Sequence, residues 1–312
     1  MQKTEPEPIA ILVSDLHFSF GPPVARAGEA DWFAAMGCRL HWLEQLARQL
    51  GNVPILAAGD IWDRWSQPPA VINYIIDNCP QMFAIPGQHD LAGHAYENRD
   101  RGAYGTLVRA GTLVDVVPDE WHKIGDRVYV RGFPWGCDTV TAEVAARPGT
   151  IAIAMVHQYI HNGGHTSHQH ATEDQSAANL QGLRGFHVCH FGDNHIPFEY
   201  ITKNGRLVVN TGGFYRRTAD QQLHQPGVVV LYRQGNGVTY KRHHYSTTDE
   251  AFSRDHIVPV SYAVAHTGVD EFAKAVGNVT TANVDFRQYV RQFAAQDDVS
   301  PIVADLLIQA VE

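Results

Sequence analysis

The sequence predicts an α/β fold with a small, mostly helical C-terminal appendage, and three observations carry that prediction. Apolar strand-like runs alternate with segments of helical periodicity over residues 9–245. Five of those runs end in a cluster of Asp, His or Gln. The pattern then turns polar at Ser246-Thr247-Thr248-Asp249-Glu250 and continues as short amphipathic stretches. The expected division is therefore residues 1–248 as the main domain and residues 249–312 as a C-terminal capping or partner-binding segment. At 312 residues, 44% hydrophobic, the chain is long and apolar enough to bury a sizeable core.

Residues 9–13, all apolar, read as a first strand buried on both faces. Leu40, Leu43, Leu46, Ala47 and Leu50 recur at helical spacing, so residues 32–50 read as a helix stopped by Gly51. A second strand at 53–58 leads to Gly59-Asp60. Pro68-Pro69 suits the first turn of a helix running to about residue 78, and residues 81–85 form a third strand. Residues 91–105 are polar and read as an exposed loop. Short strands follow at 112–116, 121–124 and 128–131, the last two turned by Gly125-Asp126. Residues 151–156 form a buried strand ending at His157. A loop rich in histidine (His161, His165, His168, His170) and a short helix precede the strand at 186–191. Strands at 198–202 and 206–209 and a hairpin of 228–233 with 238–243 complete the main domain. In the tail, 259–265 reads as a strand, and 270–276, 285–295 and 301–311 as helices, the last with Ser300 as N-cap and Pro301 after it.

A net charge of −9 argues against coating nucleic acid through bulk positive charge, yet leaves room for a local site whose charge comes from bound metal. Eighteen histidines raise the expectation of metal ligation or acid–base chemistry. The four cysteines are scattered, which reads as reduced thiols rather than a disulfide framework or a cysteine zinc site. No run approaches ~18 apolar residues, so no membrane span is expected. The leader lacks an apolar signal core, and a cytoplasmic protein is expected.

The strand ends deliver Asp15 and His17; Asp60 and Asp63; Gln88, His89 and Asp90; His157; and Asp193 and His195. Any one of these alone is more often a turn or a surface pair. Five in order, at the same ends of strands where ligands gather in α/β sheets, point to one shared site. Asp15-x-His17, Gly59-Asp60-x-x-Asp63, Gly87-Gln88-His89-Asp90, His157 and Gly192-Asp193-Asn194-His195 resemble the five motifs of calcineurin-like metallophosphoesterases, over residues 9–245. Within that superfamily, Gly59-Asp60-Ile61-Trp62-Asp63-Arg64-Trp65, Pro86-Gly87-Gln88-His89-Asp90-Leu91 and the string from Asn210 to Gln221 resemble SbcCD-type DNA repair nuclease subunits, especially phage-type versions.

The resemblance implies a four-layer α-β-β-α sandwich and two divalent metal ions. Asp15, His17, Asp60 and His195 would hold the first, and Asp60, Gln88, His157 and Asp193 the second, with Asp60 shared. One carboxylate can serve two cations ~3.5–4 Å apart, and a water between them would attack phosphorus. His89 would assist the leaving oxygen. Asp90 would orient or charge the His89 ring, and Asp63 would hold His17 or another ligand in its tautomer. Backbone amides of Thr211-Gly212-Gly213, with Arg216 or Arg217, would contact substrate phosphate.

Two positions depart from the commoner family pattern: Gln88 stands where Asn is usual, and Asp193 where His is usual. Both fall on the second metal. The more oxygen-rich set favours manganese, with magnesium possible, over zinc. The implied activity is a DNA exonuclease or endonuclease, with DNA, an SMC-type ATPase resembling SbcC, and a second copy of the chain as partners. Two other readings are a phosphomonoesterase or nucleotide phosphodiesterase of the same superfamily, and a non-catalytic subunit binding DNA or a partner. Trp65 separates the chain from Ser/Thr protein phosphatases, where glycine follows the equivalent of Arg64.

Overall fold

The computed structural model describes residues 6–118, 120–137, 149–168, 170–180, 182–235 and 237–253. The chain divides into two compact units, Met1–His256 and Ile257–Glu312. The strand and helices expected within 259–311 lie outside the described residues, as does Asn236, between the expected strands 228–233 and 238–243.

In chain order the first unit contains β1 (Glu7–Val13), α1 (Trp32–Gln49), β2 (Ile55–Ala58), α2 (Pro69–Asn78), β3 (Met82–Ile85), α3 (Ala103–Ala110), β4 (Leu113–Asp115), β5 (His122–Gly125), β6 (Val128–Phe133), β7 (Ile151–His157), β8 (Val188–Gly192), β9 (Phe198–Ile201), β10 (Leu207–Asn210), β11 (Gly227–Gln234) and β12 (Gly237–His244). They build two six-stranded mixed sheets, ordered β12-β11-β1-β2-β3-β4 and β5-β6-β7-β8-β10-β9. This is the sandwich that the resemblance implies. No helix among the described residues is long and apolar enough to cross a membrane.

Side-chain alternation explains why the central strands are apolar throughout. Ile11 and Val13 of β1 join the cluster beneath α1, α2 and α3, whereas Ala10 and Leu12 join the cluster between the sheets. On β7, Ile151, Ile153 and Met155 face the inter-sheet layer, while Ala152, Ala154 and Val156 face the outside of the second sheet. Both faces of such strands are covered, so no polar position is tolerated until the strand ends. By the same alternation, His157 falls on the inter-sheet side. β1, β2 and β3 run parallel, as do β6, β7 and β8. Their carboxyl ends are where the five motif clusters lie.

α1 begins at its cap, Asp31, whose side chain accepts the Ala34 N–H at 2.9 Å, and buries Trp32, Met36, Leu40, Leu43, Leu46 and Ala47 at helical spacing. It also buries Arg39, a position with no hydrophobic rationale. Residues 91–105 differ from the expected exposed loop: 3-10 turns at Ala92–His94 and Tyr96–Arg101 lead into α3. Tyr104 of α3 is fully buried and donates to the Ala84 carbonyl and to Asp115. The polar stretch before it hides a helix of only two turns. Residues 171–185 likewise hold 3-10 turns (Glu173–Gln175 and Ala177–Asn179) in place of the expected short helix. Ala177 and Leu183 of this segment pack with Ile160 and Phe186 on the outer face of the second sheet.

His190 of β8 is fully buried, and both its ring nitrogens lack a hydrogen-bond partner among the described residues. Burial pushes its pKa down to about 3. The folded ring therefore stays neutral while the unfolded chain takes up a proton below pH ~6.5. Stability is lost as pH falls from that value toward 3, at about 1.4 kcal/mol per pH unit. His190→Met is expected to raise the denaturation midpoint more at pH 5 than at pH 7.5; an equal shift at both would show that the ring titrates alike in both states.

Candidate metal centre

Asp15, His17, Asp60 and Asp193 follow the ends of β1, β2 and β8 and all have positive φ (53°, 45°, 49° and 86°). Such backbone costs about 1–3 kcal/mol per non-glycine residue and marks sites where geometry is imposed. Here it is imposed by cross-strand bonds beyond the sheet. The N–H of Asp15 donates to the Gly59 carbonyl at 3.1 Å, and that of His17 to the Asp60 carbonyl at 2.9 Å. Asp193 N–H donates to Asp15 Oδ1 at 3.0 Å, and His89 N–H to Asp60 Oδ1 at 3.0 Å. Turning the chain back at each strand end aims the carboxylates into the seam rather than along the strand.

Two overlapping triads result: Asp15, His17 and His195; and Asp15, Asp60 and His157, the ligand-type atoms within each lying inside 4.8 Å of one another. His17 Nε2 and His195 Nε2 stand 3.1 Å apart. Asp60 Oδ2 lies 3.7 Å from His17 Nε2 and 4.0 Å from His89 Nε2, while Oδ1 lies 3.5 Å from His157 Nε2. Gln88 joins the second group. Its Oε1 accepts from His157 Nε2 at 2.7 Å, and its Nε2 donates to Asp193 Oδ1 at 2.7 Å. The structure thus brings together Asp15, His17, Asp60, Gln88, His157, Asp193 and His195.

The donor set suits divalent cations. Asp60 Oδ2 is buried and accepts no hydrogen bond among the described residues, an orphaned acceptor beside three imidazoles. Ligand atoms around a small octahedral ion stand about 3 Å apart, close to the separations here. His157 donates Nδ1–H to the Ala58 carbonyl at 2.7 Å, which fixes its ring and directs Nε2 at the cluster. Close packing enforces the same arrangement. A Cβ on Gly59 (φ 88°) would strike the His157 ring, and one on Gly87 would strike Asp60 Oδ1.

The electrostatics are those of a cluster built for positive charge. Burial raises Asp15, and His195 and His157 pull it back only in part. Burial would raise Asp60 too, but His157, His17 and His89 together hold it well below the usual carboxylate range. Burial alone would lower His157; Asp60 overrides it and raises the ring. His17 is driven well below its usual value by burial.

The remaining expected residues do different work. His89 is 43% exposed in its side chain and donates Nδ1–H to the Asp63 carbonyl at 2.9 Å, leaving Nε2 toward Asp60. Asp63 therefore holds His89 through its backbone oxygen, and its carboxylate pairs with Arg217 rather than with His17. Asp90 does not orient the His89 ring. It is fully buried, and its carboxylate accepts the backbone N–H groups of Ile61, Trp62 and Gly87. It ties the loop after β2 to the loop after β3, and burial, with Asp60 beside it, pushes its pKa up to about 7. Arg216 is buried and paired with Glu250, and the Gly213 N–H is taken by the His195 carbonyl. His161 of the histidine loop packs under its own turn, donating to the Thr172 carbonyl at 3.0 Å.

Glu250 is a residue that sequence reasoning missed. It faces three buried arginines, Arg26 at 3.2 Å, Arg39, and Arg216 at 2.6 Å. Arg39 also donates to the Phe214 carbonyl and lies over the Tyr215 ring at 4.4 Å; burial lowers its pKa to about 9. This network fixes residues 214–217, and so Arg217 and the Asp63 that supports His89. Its signal lay in Arg26 and Arg39, cations on otherwise apolar faces, but nothing local named their partner. Asn194 was missed as well: it donates to the Ile160 and Thr166 carbonyls and anchors the histidine loop beside the cluster.

The family model for calcineurin-like phosphoesterases matches residues 10–197. Among solved structures, the chain is similar to a candidate 5'-nucleotidase from Staphylococcus aureus, at 12% identity and a TM-score of 0.47, covering 79% of this chain and 55% of that one. It is similar to a calcineurin-like phosphoesterase from Bacillus subtilis, at 12% identity and a TM-score of 0.46, covering 86% and 99%. A metallophosphoesterase from Sphaerobacter thermophilus follows at 17% identity and a TM-score of 0.34, covering 77% and 90%. The chain thus spans little more than half the length of the first. No curated protein matches it.

Removing one partner of a buried ionic network leaves the others unpaired and costs about 3–5 kcal/mol. Glu250→Ala is expected to lose about that much in urea denaturation, and more than Glu44→Ala, whose pair with Arg48 is exposed. Equal losses for the two would show that Glu250 is not the keystone of the three arginines.

Proposed function

The chain belongs to the calcineurin-like phosphoesterase family, and from that premise we propose that it is a two-metal phosphodiesterase acting on DNA, a nuclease of SbcCD type. The observation that carries the chemistry is the Asp60 carboxylate, one oxygen facing His157 and the other facing His17 and His89. On this reading Asp15, His17, Asp60 and His195 hold one divalent cation, and Asp60, Gln88, His157 and Asp193 the other. When bound, the two cations supply an acidified water and neutralise charge on the phosphoryl oxygens.

The protein's own residues do the rest. His89, as imidazolium, gives its Nε2 proton to the leaving oxygen while Nδ1–H stays on the Asp63 carbonyl, so the ring does not turn away during transfer. Asp90 holds the backbone of the two loops that carry Asp60 and Gln88. The Gln88 amide fixes Asp193 and His157 together, and the oxygen-rich donors favour manganese, with magnesium as the alternative. The nuclease assignment rests on the local strings around Asp60, Gln88 and Asn210–Gln221. With it come DNA as substrate, an SMC-type ATPase and a second copy of the chain as partners, residues 249–312 as the partner-binding segment, and a cytoplasmic location.

Linear DNA, a bis-aryl phosphodiester and an aryl phosphomonoester, each assayed with manganese and with magnesium, test the reading. Cleavage of DNA and of the diester is expected, greater with manganese. His89→Ala should lower it by about 10²–10⁴-fold. Activity on the monoester alone would overturn the nuclease assignment, and undiminished DNA cleavage by His89→Ala would remove the acid. Metal-edge anomalous scattering should show two ions, both lost in Asp60→Ala and one in Gln88→Ala.

A further inference from the structure

A cleft of about 420 Å³ opens beside Asp63 and Arg217. The Asp63 carbonyl accepts from His89, and the Asp63 carboxylate pairs with Arg217. The cleft is therefore joined to His89 through Asp63. Phe20 lines the cleft and is 55% exposed. It is not loose. Its ring meets Phe33 edge-to-face at 5.9 Å, and Phe33 meets Tyr74 at 4.9 Å, with the Tyr74 hydroxyl donating to the Phe33 carbonyl. The exposed ring is thus a braced platform.

Arg64 lines the same cleft with a 74% exposed side chain, 3.9 Å from Asp63. Arg64 and Arg217 set two positive charges against the one carboxylate of Asp63, so this part of an acidic protein carries a local positive excess. Gln67 adds an amide, its Nε2 held by the Arg64 and Phe18 carbonyls. A braced aromatic face, an extended guanidinium and a neighbouring phosphoryl-transfer centre form one pattern: stacking for a base and a cation for its phosphate.

We propose that this cleft binds the nucleotide adjoining the scissile phosphate, its base stacked on Phe20 and its phosphate met by Arg64. The inference rests on the nuclease reading and deepens it: the strand entering the cleft is single-stranded, because a base paired inside a duplex has no free face for Phe20. An end or frayed terminus satisfies this, and an intact duplex does not. Phe20 and Arg64 are then specificity residues, while catalysis stays with the metal cluster and His89.

The test is fluorescence anisotropy with labelled oligodeoxythymidylate and an abasic strand of equal length, with calcium replacing the catalytic cation to suppress cleavage. Both strands carry the same phosphates, so their difference reports the base. The full chain should bind oligodeoxythymidylate about 5- to 100-fold more tightly than the abasic strand. Phe20→Ala should erase that preference, and Phe20→Trp should keep it. Arg64→Gln should weaken both strands alike and reduce the salt dependence by about one charge. No base preference in the wild type, or full preference in Phe20→Ala, overturns the cleft. A base preference without DNA hydrolysis leaves the cleft standing and defeats the nuclease reading alone; hydrolysis without preference does the reverse.

Discussion

Asp60 is a carboxylate buried at the seam of two sheets, and nearly every feature of the centre answers to that fact. A buried unpaired acid would cost several kcal/mol or lose its charge. Here three imidazoles, His17, His89 and His157, surround it and hold it ionised. Each comes from a different strand end, so the acid can be satisfied only when β1, β3 and β7 are in register with β2. The two sheets are joined at this point by charge as well as by the apolar layer beneath it.

That arrangement is costly, and the fold offsets the cost locally. Four non-glycine residues at the strand ends adopt left-handed backbone. The N–H groups of Asp15, His17 and Asp193 donate to strand-end carbonyls or a carboxylate, so the strain is spread over a knot of bonds. Asp90 adds a second acid beneath the first, with three backbone donors converging on it. The result is a preorganised donor set whose geometry does not depend on the exposed side chains at the rim. His89, 43% exposed, is the histidine at the cluster that stands outside the donor set.

Behind the centre lies a different electrostatic solution. Arg26, Arg39 and Arg216 are buried cations collected by Glu250, with Glu29 bonded to Arg26. Aromatic rings of Tyr215, Tyr245 and Phe252 cover the guanidinium groups. This cluster lies against residues 214–217 and fixes Arg217 on Asp63. Rigidity at the catalytic rim is thereby drawn from ionic contacts as much as from the hydrophobic core.

Most strands and the polar clusters at their ends were legible in the chain alone, because strands covered on both faces are mostly apolar. An acid or histidine that follows is conspicuous. Which seven side chains would cluster was implied by the motif resemblance. The two-sheet sandwich was expected from the motif resemblance, whereas the pairing of β10 with β8 and the short helix α3 were not legible, since long-range pairing leaves no local period. Nor was the true work of Asp90 and Asp63. Both sit in motif positions beside His89, but whether a carboxylate turns to a ring, to backbone N–H groups or to an arginine is decided by what the fold brings within 3 Å. Glu250 shows the same limit. Its sequence neighbourhood is polar and ordinary, and only the folded chain sets it against three buried arginines. Composition and periodicity determined where chemistry could stand; tertiary packing decided which atoms meet, because a hydrogen bond or an ion pair is specified by distance and direction, and neither is written in one dimension.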